Sequence, residues 1–113
     1  MPLEMNEYQD IARRTAIYQD PIVYPALGLA GEAGEVAEKI KKLIRDKGGI
    51  ACLSEMEEDD RFAVAKEIGD VLWYCANLAL DIGMHLEDVA KINIGKLAKR
   101  QVEGTIGGSG DDR

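Results

Sequence analysis

Apolar side chains recur at intervals of three and four residues along most of this chain, which is the periodicity of amphipathic α-helices. No segment alternates residue by residue between apolar and polar, as a half-buried strand would. We therefore predict an all-α fold, a four-helix bundle built by a single domain of residues 1–113, with residues 104–113 as a flexible glycine-rich tail. The predicted helices cover residues 5–18, 25–47, 54–81 and 86–102.

Polar residues mark the expected starts of two of these helices. Asn6, followed three residues later by Gln9, has the arrangement of a capping box for the first helix. Ser54, followed by Glu57, has the same arrangement for the third helix, which we expect to kink near Asp60. Both patterns predict that a polar side chain satisfies backbone N–H groups of its own helix.

The interior is expected to form where the apolar helix faces meet. On the first helix, Arg13 and Arg14 lie away from the apolar face, and we expect both to be solvated. Cys75 lies in an apolar stretch and is expected to be a small core residue and not a reactive thiol. The predicted core face of the fourth helix consists of Val89, Ile92, Ile94 and Leu97.

Two acidic pairs interrupt the apolar pattern of the second and third helices. Glu32 precedes Glu35 by three residues, and Glu67 precedes Asp70 by the same interval, so each pair shares one helix face. Like charges at this spacing destabilise an isolated helix by roughly 0.2–0.5 kcal/mol per pair. The residues around both pairs are mostly apolar or glycine, and a carboxylate buried there without a partner would cost several kcal/mol.

A single acidic pair is more often a solvated helix surface than a binding site. Two pairs in apolar surroundings favour a cation held between the helices. Ligands that offer only oxygen are preferred by Mg²⁺, and Mn²⁺ accepts them as well. We therefore interpret Glu32, Glu35, Glu67 and Asp70 as candidate metal ligands and catalytic carboxylates.

The charge balance limits the partners that this chain is expected to bind. It carries 21 acidic and 14 basic side chains, a formal net charge of −7. Such a charge disfavours nucleic acid and anionic membranes as partners. The sequence has no secretory signal and no apolar run long enough to span a bilayer, so a cytoplasmic location is expected. Cys52 and Cys75 lack metal-binding spacing.

Several other chemistries lack their required residues. A di-iron carboxylate site needs Glu-x-x-His motifs, but the only histidine, His85, lies outside both acidic pairs and is expected at a helix start. A Gly-x-x-x-x-Gly-Lys phosphate loop is absent, and so are the components of a serine or cysteine nucleophile site. What remains is metal-assisted attack of water on a phosphate ester or anhydride.

Four segments carry a resemblance to MazG-like all-α nucleoside triphosphate pyrophosphohydrolases. They are LGLAGEAGEVAEKIKK (27–42), KEIGDVLWYCANLA (66–79), NIGKLAKR (93–100) and GSGDDR (108–113). The resemblance implies Mg²⁺-dependent hydrolysis of a nucleoside or deoxynucleoside triphosphate to the monophosphate and pyrophosphate, with water attacking the α-phosphorus. It also implies that the two acidic pairs bind the metal.

The same resemblance implies roles for residues outside the acidic pairs. Tyr74 matches a base-contacting aromatic position, and Asn77 matches a polar position beyond the second pair. Lys96 and Arg100 match basic positions that are associated with phosphate binding. Relatives are dimers or tetramers, so a homodimer or homotetramer is expected, with Trp73 in the core or at the subunit interface.

Two departures and two alternatives remain open. Gly31 stands where many relatives carry a further glutamate, and the interval between the two acidic pairs is somewhat long. Both departures concern the number of metal ions more than the reaction. The alternatives are a phosphoribosyl-ATP pyrophosphohydrolase of the same fold and a non-catalytic helical oligomerisation module.

Overall fold

Four α-helices dominate the computed structural model, which describes residues 1–49 and 53–111. A short 3₁₀ helix, Leu53–Glu55, precedes the third α-helix, and these two ranges contain no strand. The predicted all-α fold is therefore confirmed. The helices are α1 (Met5–Arg13), α2 (Val23–Lys47), α3 (Glu58–Asp81) and α4 (Leu86–Glu103).

The two longest helices, α2 and α3, form an antiparallel pair. Lys47 at the end of α2 makes an ion pair with Asp60 in the first turn of α3. At the other end, Gly28 of α2 lies against Tyr74 of α3. α1 and α4 both pack on α3 and on each other, whereas α4 makes no close backbone contact with α2 in the described residues. The buried cluster at this junction consists of Ala12, Ala76 and Leu86.

Asn6 and Gln9 cap α4 and not α1, so the predicted capping box is wrong. The Asn6 side-chain oxygen accepts the N–H of Glu87 at 3.0 Å, and the Gln9 oxygen accepts the N–H of Leu86 at 2.8 Å. At the start of α1 itself, Glu4 makes no side-chain capping bond. The first N–H groups of α4 have no partner within their own helix, and α1 lies beside them, so its amides supply the acceptors.

The first helix ends at Arg13, five residues earlier than predicted. The hydroxyl of Thr15 donates to the carbonyl of Ala12 at 2.9 Å and accepts the indole N–H of Trp73 at 2.8 Å. These bonds turn the chain away from the helix axis. Tyr18 is thereby brought to Tyr24 at the start of α2, where the two rings stack with centroids 5.1 Å apart.

The third helix also begins later than predicted. Ser54 belongs to the 3₁₀ turn, and α3 starts at Glu58, so a break before the helix replaces the expected kink near Asp60. Three acidic residues in its first turn favour this start because they face the positive end of the helix dipole. Cys52 lies outside the described residues.

The apolar face predicted for α4 does not face the core of the single chain. Val89, Ile92, Ile94 and Leu97 are 38%, 56%, 66% and 43% exposed. The reason is geometric: α4 is anchored by its first turns, and no helix of the described chain covers the rest of this face. No described helix is both long enough and apolar enough to cross a membrane.

Candidate metal centre

Three carboxylates from α2 and α3 converge near the middle of the antiparallel pair. One oxygen each of Glu32, Glu67 and Asp70 lies within 4.8 Å of the other two. Glu67 and Asp70 share a face of α3 because they are one helical turn apart, and the crossing with α2 brings Glu32 to the same place. We call these three side chains the acidic group.

Electrostatics within the acidic group disfavour full ionisation. Partial burial, followed by the charges of Asp70, Glu67 and Glu35, raises the pKa of Glu32. A cation between the helices would relieve the same repulsion. The oxygen-only donor set and this repulsion fit a hard divalent ion such as Mg²⁺ or Mn²⁺.

Glu35 lies one turn beyond Glu32 on α2, is exposed, and is not one of the three converging side chains. Its charge nevertheless contributes to the raised pKa of Glu32. The structure therefore brings three of the four candidate ligands together, and the role of Glu35 stays a prediction.

An open cleft of about 260 Å³ adjoins the acidic group and is lined by Glu32, Asp70, Trp73 and Tyr74. Tyr74 is half-buried, and its ring lies 4.9 Å from that of Trp73, edge to face. Burial, a hydrogen bond with Tyr24, and the nearby carboxylates raise the pKa of Tyr74, so its hydroxyl stays protonated at neutral pH. The predicted base-contacting position thus lies beside the carboxylates.

A second open cavity, of about 330 Å³, lies on the other side of Trp73 and is bordered by Tyr18 and Tyr24. Trp73 is half-buried and lines both cavities, so it lies between the two. Tyr18 and Tyr24 were not predicted as site residues, because their proximity to Trp73 depends on where α1 ends. The sequence offered one signal for this aromatic cluster: Tyr18 and Tyr24 each lie three residues from Pro21.

Gly28 is a further residue that the sequence analysis missed. A Cβ atom at this position would lie 2.1 Å from the Tyr74 ring, so only glycine lets the ring rest against α2. Gly31, one turn later, has open space where its Cβ would be.

We expect Gly28→Ala to displace the Tyr74 ring and destabilise the protein, whereas Gly31→Ala should stabilise it by up to about 1 kcal/mol through helix propensity. Urea unfolding monitored by circular dichroism would measure both. Because both substitutions replace a glycine of α2 by alanine, equal effects would contradict the close contact between Gly28 and Tyr74.

Asn77 belongs to α3, and its side chain is fully buried where α3 packs against α1. Its side-chain oxygen accepts from the Arg13 guanidinium at 3.2 Å, and its amide nitrogen donates to the carbonyl of Trp73 at 3.1 Å. The structure therefore gives Asn77 partners within the chain, and its contact with substrate stays a prediction. Arg13 is exposed, as predicted, and in addition connects this amide to Asp81.

Asp81 fixes the segment between α1 and α2. Its side chain is 1% exposed and lies 2.9 Å from the guanidinium of Arg13. One of its oxygens also accepts from the Tyr18 hydroxyl at 2.8 Å and from the N–H of Ile22 at 3.0 Å. Ile22 has a φ of 70°, which is unfavourable for a β-branched residue, and the bond from Asp81 helps to hold it there.

Burial of the Asp81 carboxyl alone would raise its pKa, but the bonds from Ile22, Tyr18 and Arg13 outweigh it and lower the pKa. The stabilisation by this carboxylate is therefore complete above its unfolded-state pKa of about 3.9 and is lost as the pH falls through the folded-state value. We expect Asp81→Asn to reduce the free energy of unfolding at pH 7 by about 1–3 kcal/mol. The difference from wild type should shrink below about pH 4.

Urea titrations from pH 2.5 to 7 would test this expectation. Asp88→Asn, at an exposed position on the first turn of α4, is the matched control and should show a smaller effect at pH 7. A loss that persists unchanged at the lowest pH would contradict the assigned role of the Asp81 charge.

Lys96 and Arg100 lie one turn apart in the second half of α4. In the described residues, neither makes an ion pair with the acidic group; both instead contact Asp111 of the C-terminal segment. Arg100 is buried, whereas the Asp111 side chain is 83% exposed. A phosphate contact by either cation stays a prediction.

The fold and the acidic group define a class of protein, a small all-α chain whose two longest helices present clustered carboxylates. The model of the MazG nucleotide pyrophosphohydrolase domain family matches residues 25–104, which include α3, α4, all but the first two residues of α2, and all three carboxylates. The chain belongs to this family. The predicted resemblance is thereby confirmed, and so is the coarse assignment to the nucleotide pyrophosphohydrolases.

One curated relative is similar over nearly the whole chain. It is the Gene 37 protein of Mycobacterium phage L5, which is 39% identical over 119 residues that cover 98% of this chain and 100% of that protein. No solved structure matches the chain.

Proposed function

We propose that this protein hydrolyses a nucleoside or deoxynucleoside triphosphate to the monophosphate and pyrophosphate, and that the reaction depends on Mg²⁺. The convergence of Glu32, Glu67 and Asp70 from two helices of a MazG domain carries the proposal. Mn²⁺ would satisfy the same oxygen ligands.

The carboxylates bind the metal in this proposal. Glu32, Glu67 and Asp70 form the convergent part of the site, and Glu35 is the proposed fourth ligand because its exposed carboxylate already acts on Glu32 electrostatically. When bound, Mg²⁺ would neutralise the phosphate oxygens and polarise the α-phosphorus toward attack by water. A carboxylate of the set orients that water and accepts its proton.

Aromatic residues beside the carboxylates support binding of a nucleobase. Tyr74 and Trp73 line the cleft next to the acidic group, and Tyr18 and Tyr24 extend the aromatic surface beyond Trp73. Aromatic stacking accommodates every base, since each has a π-face. Asn77, Lys96 and Arg100 complete the proposed substrate contacts, with the two cations on the phosphates.

Release of pyrophosphate, and not of orthophosphate, from a panel of nucleoside and deoxynucleoside triphosphates with Mg²⁺ would test the reaction. Phosphoribosyl-ATP should be included in the panel. If it were hydrolysed faster than every nucleoside triphosphate, the alternative substrate would be favoured over the proposed one. An absence of any turnover, together with no binding of divalent ions by calorimetry, would favour a non-catalytic helical module.

We further propose that the protein is a homodimer or homotetramer. The exposed face of α4 supports this, since apolar side chains such as Ile92 and Ile94 are more than half exposed in the single chain. Contiguous exposed apolar surface marks interaction sites in soluble proteins. Other exposed apolar residues, on α2 and α3, are Ile44, Phe62, Ile68 and Leu72.

We expect Ile92→Glu to convert the oligomer to a smaller species, because a charge on the apolar face would be desolvated in the assembly. Lys91→Gln changes the charge by the same unit at an exposed position outside this apolar face of α4, so it is the control and should leave the mass unchanged. Sedimentation equilibrium would measure both. A wild-type monomer at micromolar concentration would contradict the proposed assembly.

A further inference from the structure

The described C-terminal segment, residues 104–111, turns back onto α4, and we call it the strap. Gly104 and Gly110 have φ values of 70° and 82°, which glycine adopts readily, and they flank the reversal. The carboxylate of Asp111 then lies 2.9 Å from the ammonium of Lys96. The strap thus places a negative group on the cationic half of α4.

Arg100 lies beneath the strap, with its side chain 6% exposed. One terminal nitrogen donates to the carbonyl of Asp111 at 3.0 Å and to that of Gly110 at 3.3 Å. The same nitrogen lies 3.4 Å from the Asp111 carboxylate. Its Nε atom is buried and has no hydrogen-bond partner among the residues that the structure describes.

The contacts of Arg100 with oxygen atoms of the strap resemble those that a guanidinium makes with a bound oxyanion. A guanidinium binds phosphate through two parallel N–H donors, and Arg100 keeps Nε available for such a fork. The strap instead satisfies a single nitrogen with three oxygens. Lys96 provides a second positive charge that shares the carboxylate of Asp111 with Arg100.

The contact made by the Asp111 side chain is also easy to replace. Its carboxylate is 83% exposed and the Lys96 side chain is 34% exposed, and an ion pair that water reaches contributes little. A phosphate chain offers more charge and more acceptor oxygens than one carboxylate, and charge-assisted bidentate contacts with arginine are stronger.

We propose that the strap is an internal competitor: the Asp111 carboxylate occupies an oxyanion position on Lys96 and Arg100, and must leave before a di- or triphosphate group binds there. This inference rests on the proposed function, which assigns phosphate contacts to the two cations. The strap thereby weakens binding of the substrate's phosphates and of the pyrophosphate product.

Calorimetric binding of pyrophosphate to the full chain, in EDTA and at low ionic strength, tests the competition directly. Without a metal, the acidic group repels pyrophosphate, so binding reports on cationic positions. Asp111→Asn should tighten binding by about tenfold. Glu103→Gln removes the same unit of charge from an exposed position near the end of α4 and should change the affinity less than twofold.

A second pair of variants loosens the strap without altering any charge. Gly110→Ala strains a residue whose φ is 82°, and should tighten pyrophosphate binding about threefold. Gly107→Ala introduces a Cβ into open space at a residue without a positive φ, and should leave binding unchanged. The double variant with Lys96→Met and Asp111→Asn should lose the gain in pyrophosphate affinity that Asp111→Asn alone produces.

A purely structural strap predicts other results. Asp111→Asn would then lower the melting temperature, and the variant would bind pyrophosphate no more tightly than the wild-type protein. That result would contradict the proposed competition. The proposal would equally fail if the gain in affinity survived Lys96→Met. Because this assay needs neither metal nor turnover, a protein that hydrolyses no nucleotide but shows the predicted tightening would contradict only the proposed function.

Discussion

Asp70→Asn should lower the rate of pyrophosphate release by about a thousandfold or more at saturating Mg²⁺, without unfolding the protein. The substitution keeps the shape of the side chain but removes one negative charge from the acidic group. Stabilisation of the charge that develops in the transition state is commonly the largest part of catalysis at such sites. A coupled assay that detects pyrophosphate, with one nucleoside triphosphate as the substrate, would measure the loss.

The matched control is Asp59→Asn, which makes the same chemical change at an exposed position on the first turn of α3. It should retain nearly all of the activity. If Asp70→Asn kept more than about a tenth of the wild-type rate, the acidic group would not be the metal centre of the reaction.

Mg²⁺ should raise the melting temperature of the wild-type protein strongly. A ligand at about one hundred times its dissociation constant stabilises the folded state by about 2.7 kcal/mol, which corresponds to roughly 10 °C or more for a chain of this size. Glu67→Gln should abolish this response. The same variant should raise the melting temperature in EDTA, because it removes one of the charges that raise the pKa of Glu32.

Glu38→Gln is the control for this experiment, since Glu38 lies on α2 but pairs with Lys41 outside the acidic group. It should preserve the response to Mg²⁺. Differential scanning calorimetry of the wild type and both variants, with and without the ion, would give all six melting temperatures. A Glu67→Gln protein that responds to Mg²⁺ like the wild type would place the ion elsewhere.

The helices and the acidic group could be predicted because their signals are local. Spacings of three and four residues define the helices, and the same spacing puts Glu67 and Asp70 on one face. The convergence with Glu32 then required only that α2 and α3 pack against each other. The ends of helices were less predictable, since α1 stops at Arg13 through bonds to a residue on α3.

Contacts between distant residues could not be predicted from local patterns. Asn6 and Gln9 match a capping box within α1, but the acceptors serve α4 because α1 lies across its first turn. Arg13 was predicted to be solvated because it lies away from the apolar face of α1; it is exposed, but its partner Asp81 at the far end of α3 could not be foreseen. The α4 face was misassigned because periodicity identifies an apolar surface but not what covers it.

The capping of α4 by Asn6 and Gln9 has a consequence for the order of folding. α4, which leaves the ribosome after α1, needs acceptors from α1. Its opening turn therefore cannot be completed until a contact of very long sequence separation has closed, and such contacts slow folding because loop-closure entropy is lost before they form. The first turn of α4 and its contact with α1 therefore form in the same step of folding.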